Sequence, residues 1–184
     1  MNIGILCYPT YGGSGVIATE LGKALAIKGH TIHFISYNQP VRLDTFNENI
    51  YFHEVRFNNY PLFKFPPYET VLTSKIVDVV KNHNLDVIHV HYAIPHAAAA
   101  VMAKSILKKM GIKIKIVTTL HGTDITLVGK DKSFEPVVSH SLFESDVVTA
   151  VSNSLKKETH KYFNYDGEIK AVSYTHLTLP TRLS

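Results

Sequence analysis

The sequence predicts a doubly wound α/β domain built on a mostly parallel sheet. An apolar run at residues 2–7 is short enough for a buried strand. The glycine-rich run GGSG follows at residues 12–15, and Ile17, Leu21 and Leu25 then recur at helical spacing. Strand-like and helix-like segments continue to alternate as far as residue 171, which is typical of parallel strands joined by helices.

The predicted elements can be placed in order along the chain. The first helix begins at or just after the glycines and ends at Lys28-Gly29, where glycine favours a left-handed end. Later helices are predicted over residues 68–82, 96–110, 133–145 and 152–162. Strands are predicted over residues 2–7, 31–36, 50–55, 86–91, 113–119 and 146–150. In such a sheet, sites form at the carboxyl ends of the strands, where the loops after residues 7, 91, 119 and 150 should meet.

Composition restricts the class of protein. A chain of 184 residues has room for one α/β domain, and a net charge of +4 without a lysine-arginine cluster argues against a nucleic-acid partner. Cys7 is the single cysteine, and no run approaches the roughly 18 apolar residues of a membrane span. We therefore expect a soluble cytoplasmic domain over residues 1–171. Residues 172–184 resemble translated cloning sequence, so we treat them as a foreign tail.

The glycine run between a strand and a helix indicates an anion site. Its backbone allows close approach of a ligand, and the first N–H groups of the helix favour phosphate or carboxylate. Residues 13–18 also fit the G-x-G-x-x-A pattern of dinucleotide-binding proteins, which raises an NAD-dependent dehydrogenase as an alternative. That reading requires an acidic residue after the second strand, whereas Ser36 is followed by Tyr-Asn-Gln-Pro. A tight turn without a ligand is the simpler alternative.

Several polar residues after other strands have both structural and functional interpretations. Asp124 favours local backbone hydrogen bonds, so we predict that it braces its loop rather than acting as a nucleophile. Asn153 and Ser154 begin a helix, where capping and anion binding are both expected. His89 and His91 lie on one face of a strand and could contribute to a zinc site. No third ligand has evident spacing, so packed histidines without metal are preferred.

The quoted motifs resemble those of the N-terminal half of family 4 glycosyltransferases with the GT-B fold. The resemblance covers about residues 1–171 and rests on four segments: CYP with GGSG, HVHYAIPH at residues 89–96, TTLHGTD at residues 118–124, and TAVSNS at residues 149–154. The HYAIPH segment is similar to the branch that uses L-malate as acceptor in bacillithiol biosynthesis. The resemblance implies retaining transfer of N-acetylglucosamine from UDP-N-acetylglucosamine to L-malate, without a metal or a resident cofactor.

The resemblance also implies roles for individual residues. Gly13 and Ser14 would face the donor diphosphate, while Tyr92 and Thr119 would donate hydroxyl hydrogen bonds to the acceptor carboxylates. His121 would lie against the transferred sugar and stabilise the transition state. The family's second domain, which holds the nucleotide sugar, is expected to be missing, so we expect the chain alone to be inactive. A non-catalytic module that binds anionic metabolites stays an alternative, and a homo-oligomer stays possible.

Overall fold

The computed structural model describes residues 1–43, 48–57 and 61–173. Within them, seven strands form one parallel sheet in the order β3-β2-β1-β4-β5-β6-β7. The strands are β1 Asn2–Leu6, β2 Thr31–Ser36, β3 Ile50–Glu54, β4 Val87–His91, β5 Lys115–Leu120, β6 Val147–Ala150 and β7 Ile169–Ala171. The helices are α1 Gly13–Ile27, α2 Tyr68–His83, α3 Ala98–Lys109, α4 Thr123–Thr126, α5 Glu135–Glu144 and α6 Asn153–Phe163. The predicted doubly wound α/β class is confirmed.

Because successive side chains of a strand point to opposite faces, the hydrophobic core is divided between the two faces of the sheet. Ile3 and Ile5 of β1 belong to the cluster that includes Ala18 and Ala26 of α1. Leu6 points to the other face, where it belongs to the cluster built with α2 and α3. Fully buried alanines of α3 belong to this second cluster, and such small residues allow a helix to approach its neighbours closely. A third cluster joins the α5 and α6 region to β5, β6 and β7.

Three local features differ from the sequence prediction. The helix predicted from residue 96 begins at Ala98, because Ala93–Ala97 forms a wide turn that contains a cis Ile94-Pro95 peptide. The strand β7 was not predicted, and neither was the four-residue helix α4. The foreign origin proposed for residues 172–184 stays a prediction, because residues 174–184 lie outside the described part of the chain.

The glycine turn is packed so tightly that Gly15 has no room for a side chain. A Cβ atom at Gly15 would lie 2.5 Å from both the Tyr8 and Thr10 carbonyl oxygens. We expect Gly15→Ala to lower the free energy of unfolding by about 1–3 kcal/mol, since backbone atoms cannot move aside as a side chain can. Urea unfolding measures this change. Gly13→Ala is the matched control, because a Cβ there meets nothing within 4 Å; equal stability of the two variants would contradict the prediction.

Candidate functional site

Four loops meet at the carboxyl edge of the sheet. Strands β1, β4, β5 and β6 are consecutive neighbours and all parallel, so the segments that follow them emerge side by side. Chain order reverses between β1 and β4, which is where a doubly wound sheet opens a crevice for ligands. The glycine run follows β1, and the segments carrying Tyr92, His121 and Asn153 follow the other three strands. The predicted convergence of these loops is therefore confirmed.

The first turn of α1 has the properties of an anion site. Gly12 is the N-cap residue, no side chain caps the helix, and no acidic residue lies in its first turn. The positive end of the helix dipole is therefore not offset by a carboxylate of that turn. The space beside Gly13 is open, whereas Ser14 is buried. This geometry allows a phosphate or carboxylate to approach the backbone at Gly13.

Tyr92 connects the ends of β4 and β5 through a strained backbone. Its φ of 88° lies in the left-handed region that favours glycine, and strain of this kind concentrates at functional sites. Its N–H donates to the Thr119 carbonyl oxygen at 3.0 Å. Its ring stacks on the His121 ring with centroids 5.3 Å apart and meets the Tyr8 ring edge-on at 5.4 Å. Three predicted site residues, Tyr92, Thr119 and His121, are thus adjacent.

The hydroxyl of Thr119 already has protein partners. It lies 2.7 Å from His89 Nε2 and 2.8 Å from the Thr149 hydroxyl, and Thr119 is only 1% exposed. A hydroxyl has one hydrogen to donate and two lone pairs. Its predicted bond to a ligand carboxylate would therefore have to compete with these two contacts, and this role stays a prediction.

A connected set of histidines lies beneath the edge. His91 Nδ1 is 2.8 Å from His121 Nε2, and the His89 and His91 rings stack 4.8 Å apart. His96 Nδ1 donates to the His91 carbonyl oxygen at 2.6 Å, which leaves Nε2 of this buried ring as an acceptor without a partner among the described residues. Burial lowers the pKa of His89, His96 and His121 to about 4, and that of His91 well below its usual range. All four rings are therefore neutral at pH 7.

Asp124 braces the loop after β5, as the sequence predicted. Its Oδ1 accepts from the N–H groups of His121 and Gly122 at 3.1 and 2.9 Å. Its Oδ2 accepts from the Ala93 N–H at 3.0 Å, so one buried carboxylate ties the end of β4 to the end of β5. Burial raises the pKa of Asp124, while these three backbone N–H groups hold it down.

In the fourth loop, which follows β6, the residue that caps α6 directly precedes the two predicted site residues. Ser152 is the N-cap of α6 and accepts from the Leu155 N–H at 3.1 Å. Asn153 and Ser154 occupy the first helical positions with exposed side chains, so both are free to meet a ligand at this edge. Their predicted contact with substrate stays a prediction.

Beside the edge lies a cavity of about 700 Å³ that the sequence did not reveal. Tyr92 is the predicted site residue that lines it, together with Asp124, whereas Gly13, Thr119 and His121 are not among its lining residues. Tyr8 and Tyr68 line it as well, and the buried Tyr68 hydroxyl has no partner among the described residues. Burial raises the pKa of Tyr8 to about 12. Tyr8 could have been singled out from the sequence because it directly follows the strand predicted over residues 2–7. Tyr68 is the first residue of α2, a helix in which we found no motif.

Within the described part of the chain, none of the helices combines the length and the apolar character that crossing a bilayer requires.

Comparison with known proteins agrees with the motifs. The model of glycosyltransferase family 4 matches residues 11–173. The chain is 53% identical over 172 residues to N-acetyl-alpha-D-glucosaminyl L-malate synthase of Bacillus anthracis, covering 94% of this chain and 44% of that protein. It is 24% identical over 175 residues to an uncharacterized glycosyltransferase of Methanocaldococcus jannaschii, covering 91% of this chain and 46% of that one. The chain thus spans less than half the length of these relatives.

Solved structures show the same fold at low sequence identity. Sucrose-phosphate synthase from Thermosynechococcus elongatus matches with a TM-score of 0.68 at 14% identity, over 94% of this chain and 48% of that one. The lipopolysaccharide outer core galactosyltransferase WaaB matches with a TM-score of 0.65 at 16% identity, over 94% of this chain and 45% of that one. Given the extent of the family match, this chain belongs to glycosyltransferase family 4.

Proposed function

We propose that this chain is the acceptor-binding half of a retaining glycosyltransferase. The proposed reaction transfers N-acetylglucosamine from UDP-N-acetylglucosamine to L-malate, as a step of bacillithiol biosynthesis. The observation that carries the proposal is the 53% identity to the malate synthase over 94% of this chain. The gathering of Tyr92, Thr119 and His121 at the crevice supports it.

The charge of malate favours the open edge over the neighbouring cavity. Malate carries two carboxylates, whereas the described residues that line the cavity include Glu69 and Asp124 but no lysine or arginine. The uncapped first turn of α1 at Gly13 and Ser14 offers backbone N–H groups and a favourable dipole instead. Tyr92 follows β4, the strand next to β1, and its hydroxyl is proposed to join these groups. We therefore place the acceptor carboxylates at the strand ends and leave the donor diphosphate in reach of the same glycine turn.

The proposed transfer needs no protein base. The malate hydroxyl oxygen bonds to the anomeric carbon of the sugar while the bond from that carbon to UDP breaks on the same face. The leaving diphosphate takes the hydroxyl proton, so the products are glycosylated malate and UDP. His121, whose pKa is about 4, is neutral at pH 7 and would stabilise the transition state by hydrogen bonding rather than by charge. The nucleotide sugar is a substrate; Gly13 and Ser14 are proposed to face its diphosphate, and its other binding residues are proposed to lie outside these 184 residues.

Calorimetric titration with L-malate tests the acceptor site. We expect saturable binding that Tyr92→Phe and Thr119→Val each weaken about tenfold or more, since a hydrogen bond to a charged group contributes about 1.5–3 kcal/mol. Tyr162→Phe is the matched control, because that tyrosine is exposed on α6 away from the crevice. Equal affinity of all three variants, each shown to be folded by circular dichroism, would contradict the assignment.

A second measurement separates transfer from simple binding. The family's donor-binding domain is added together with UDP-N-acetylglucosamine and malate, and the product is followed by mass spectrometry. Formation of glycosylated malate supports the transferase. Malate binding without any product would favour the alternative of a metabolite-binding module.

A further inference from the structure

Three histidines meet far from the crevice, between the sheet edge and α2. His33 lies on β2, His53 on the edge strand β3, and His83 in the last turn of α2. In the register of β2 and β3, His53 is directly opposite Ile35, so His33 and His53 lie on the face that α2 covers. The Asn2 amide donates to the His83 carbonyl oxygen at 3.0 Å, which places His83 at the amino edge of the sheet, opposite the glycine turn.

The distances within this triad suit a metal ion. One ring nitrogen of each histidine lies within 4.8 Å of the other two, and His33 Nδ1 is 2.9 Å from His53 Nε2. Zinc–nitrogen bonds of about 2.0–2.1 Å in a tetrahedron place ligand nitrogens about 3.4 Å apart. The 2.9 Å between His33 and His53 is shorter than that value and the third nitrogen lies within 4.8 Å, so binding one ion requires the rings to adjust their orientation.

A histidine cluster without metal is the simpler interpretation. Among the described contacts, one hydrogen bond joins His33 to His53, and the His83 ring packs against both, with centroids 4.6 Å from His33 and 4.8 Å from His53. None of the described ion pairs or hydrogen bonds brings a carboxylate onto these rings. A cation at the centre would use all three nitrogens.

The cleft beside the triad carries charges of both signs. His53 lines this cleft of about 680 Å³ between β3 and α2, together with Glu54, Arg56, Lys75 and Asp78, and Glu54 is paired with Arg56 at 2.7 Å. Asp78 is held by the Asn82 amide at 2.9 Å and acts on His53 electrostatically, so it offsets positive charge without being a ligand.

We propose that His33, His53 and His83 bind one divalent transition-metal ion, with Zn²⁺ as the best fit and the fourth position open to the cleft. The ion would join the edge strand β3 to β2 and to the end of α2. The three histidines lie on β2, on the edge strand β3 and in the last turn of α2, and none of them is among the residues gathered at the crevice. The ion would therefore stabilise the domain and take no part in transfer. This site does not depend on the acceptor assigned above.

Titration of the metal-free protein with ZnCl₂ tests the proposal. We expect one Zn²⁺ per chain and a higher melting temperature, because an ion that binds only the folded state stabilises it. His83→Gln should weaken binding at least about 100-fold, since it removes a ligand. His140→Gln is the matched control, because His140 is exposed on α5 outside the triad. Equal affinity of these two variants would overturn the proposal, and so would the absence of saturable binding.

A spectroscopic measurement on the unmodified protein keeps the test decisive if a variant fails to fold. Ring-nitrogen NMR should show Zn²⁺ shifting the resonances of His33, His53 and His83 together. Shifts confined to other histidines, such as His89 and His91, would place the ion elsewhere and overturn the proposal.

Discussion

Lowering the pH from 7 to 5 is expected to destabilise this protein sharply in the absence of metal. His89, His91, His96 and His121 are folded as neutral rings, and burial is the main cause of their lowered pKa values. In the unfolded chain the same rings titrate near pH 6.5. The unfolded state therefore takes up protons first as the pH falls. The stability that the neutral rings provide is complete above about pH 6.5 and is lost as the pH falls toward 4.

The expected size of this effect is comparable with the whole stability of a domain. A pKa lowered from 6.5 to about 4, as for His89, His96 and His121, corresponds to about 3 kcal/mol for each ring. Single domains have free energies of unfolding of about 5–15 kcal/mol. Near pH 5 these four rings alone account for about three or four protons taken up on unfolding, so the slope should reach at least about 4–5 kcal/mol per pH unit. An acid transition near pH 5 follows.

Urea unfolding at intervals from pH 8 to pH 4.5, with a chelator present, measures this slope. His89→Gln should reduce it by about one proton, or about 1.4 kcal/mol per pH unit, while its amide can still meet the Thr119 hydroxyl. His140→Gln, at an exposed position, should leave the slope unchanged. A free energy of unfolding that stays constant between pH 6.5 and 5 would show that these rings are charged or hydrated in the folded state.

The fold could be predicted where periodicity is strong. The apolar run before the glycines and the helical spacing after them give β1 and α1, and the left-handed end at Gly29 is confirmed by its φ of 84°. Strand β7 has only three residues, Ile169–Ala171, and alternation over three residues cannot be told from chance. The helix α4 has four residues and follows Gly122, so it also lacks a periodic signal.

The site was predictable in its location more than in its contacts. Strand ends fix which loops meet, so Tyr92 and His121 could be placed at one edge from the sequence. The bond between the Thr119 and Thr149 hydroxyls depends on the register of β5 against β6, which no periodicity specifies. The same limit hid the contact of His33 with His53, because it requires β2 and β3 to pair in one particular register.

Replacing Asp124 by alanine is expected to lower the free energy of unfolding by about 3–5 kcal/mol, because a buried donor without a partner costs about 1–3 kcal/mol. The change removes the acceptor of three backbone N–H groups, those of Ala93, His121 and Gly122. Asp124→Asn should have a smaller effect, since its oxygen can still accept from His121 and Gly122 while its amide faces the Ala93 N–H. Thermal and urea unfolding measure both changes.

Asp131→Ala is the matched control for the Asp124 variants. Asp131 is exposed and accepts a backbone hydrogen bond from the Ser133 N–H at 2.8 Å, so its loss should destabilise the protein far less than the loss of Asp124. Equal losses at the two positions would show that Asp124 is not a brace. If Asp124→Asn is folded but binds malate less tightly than the parent, the Asp124 carboxylate also supports the ligand site by holding two loops in place. The carboxylate ties the segment after Tyr92 to the loop of His121, so weakening this tie moves two predicted ligand residues apart.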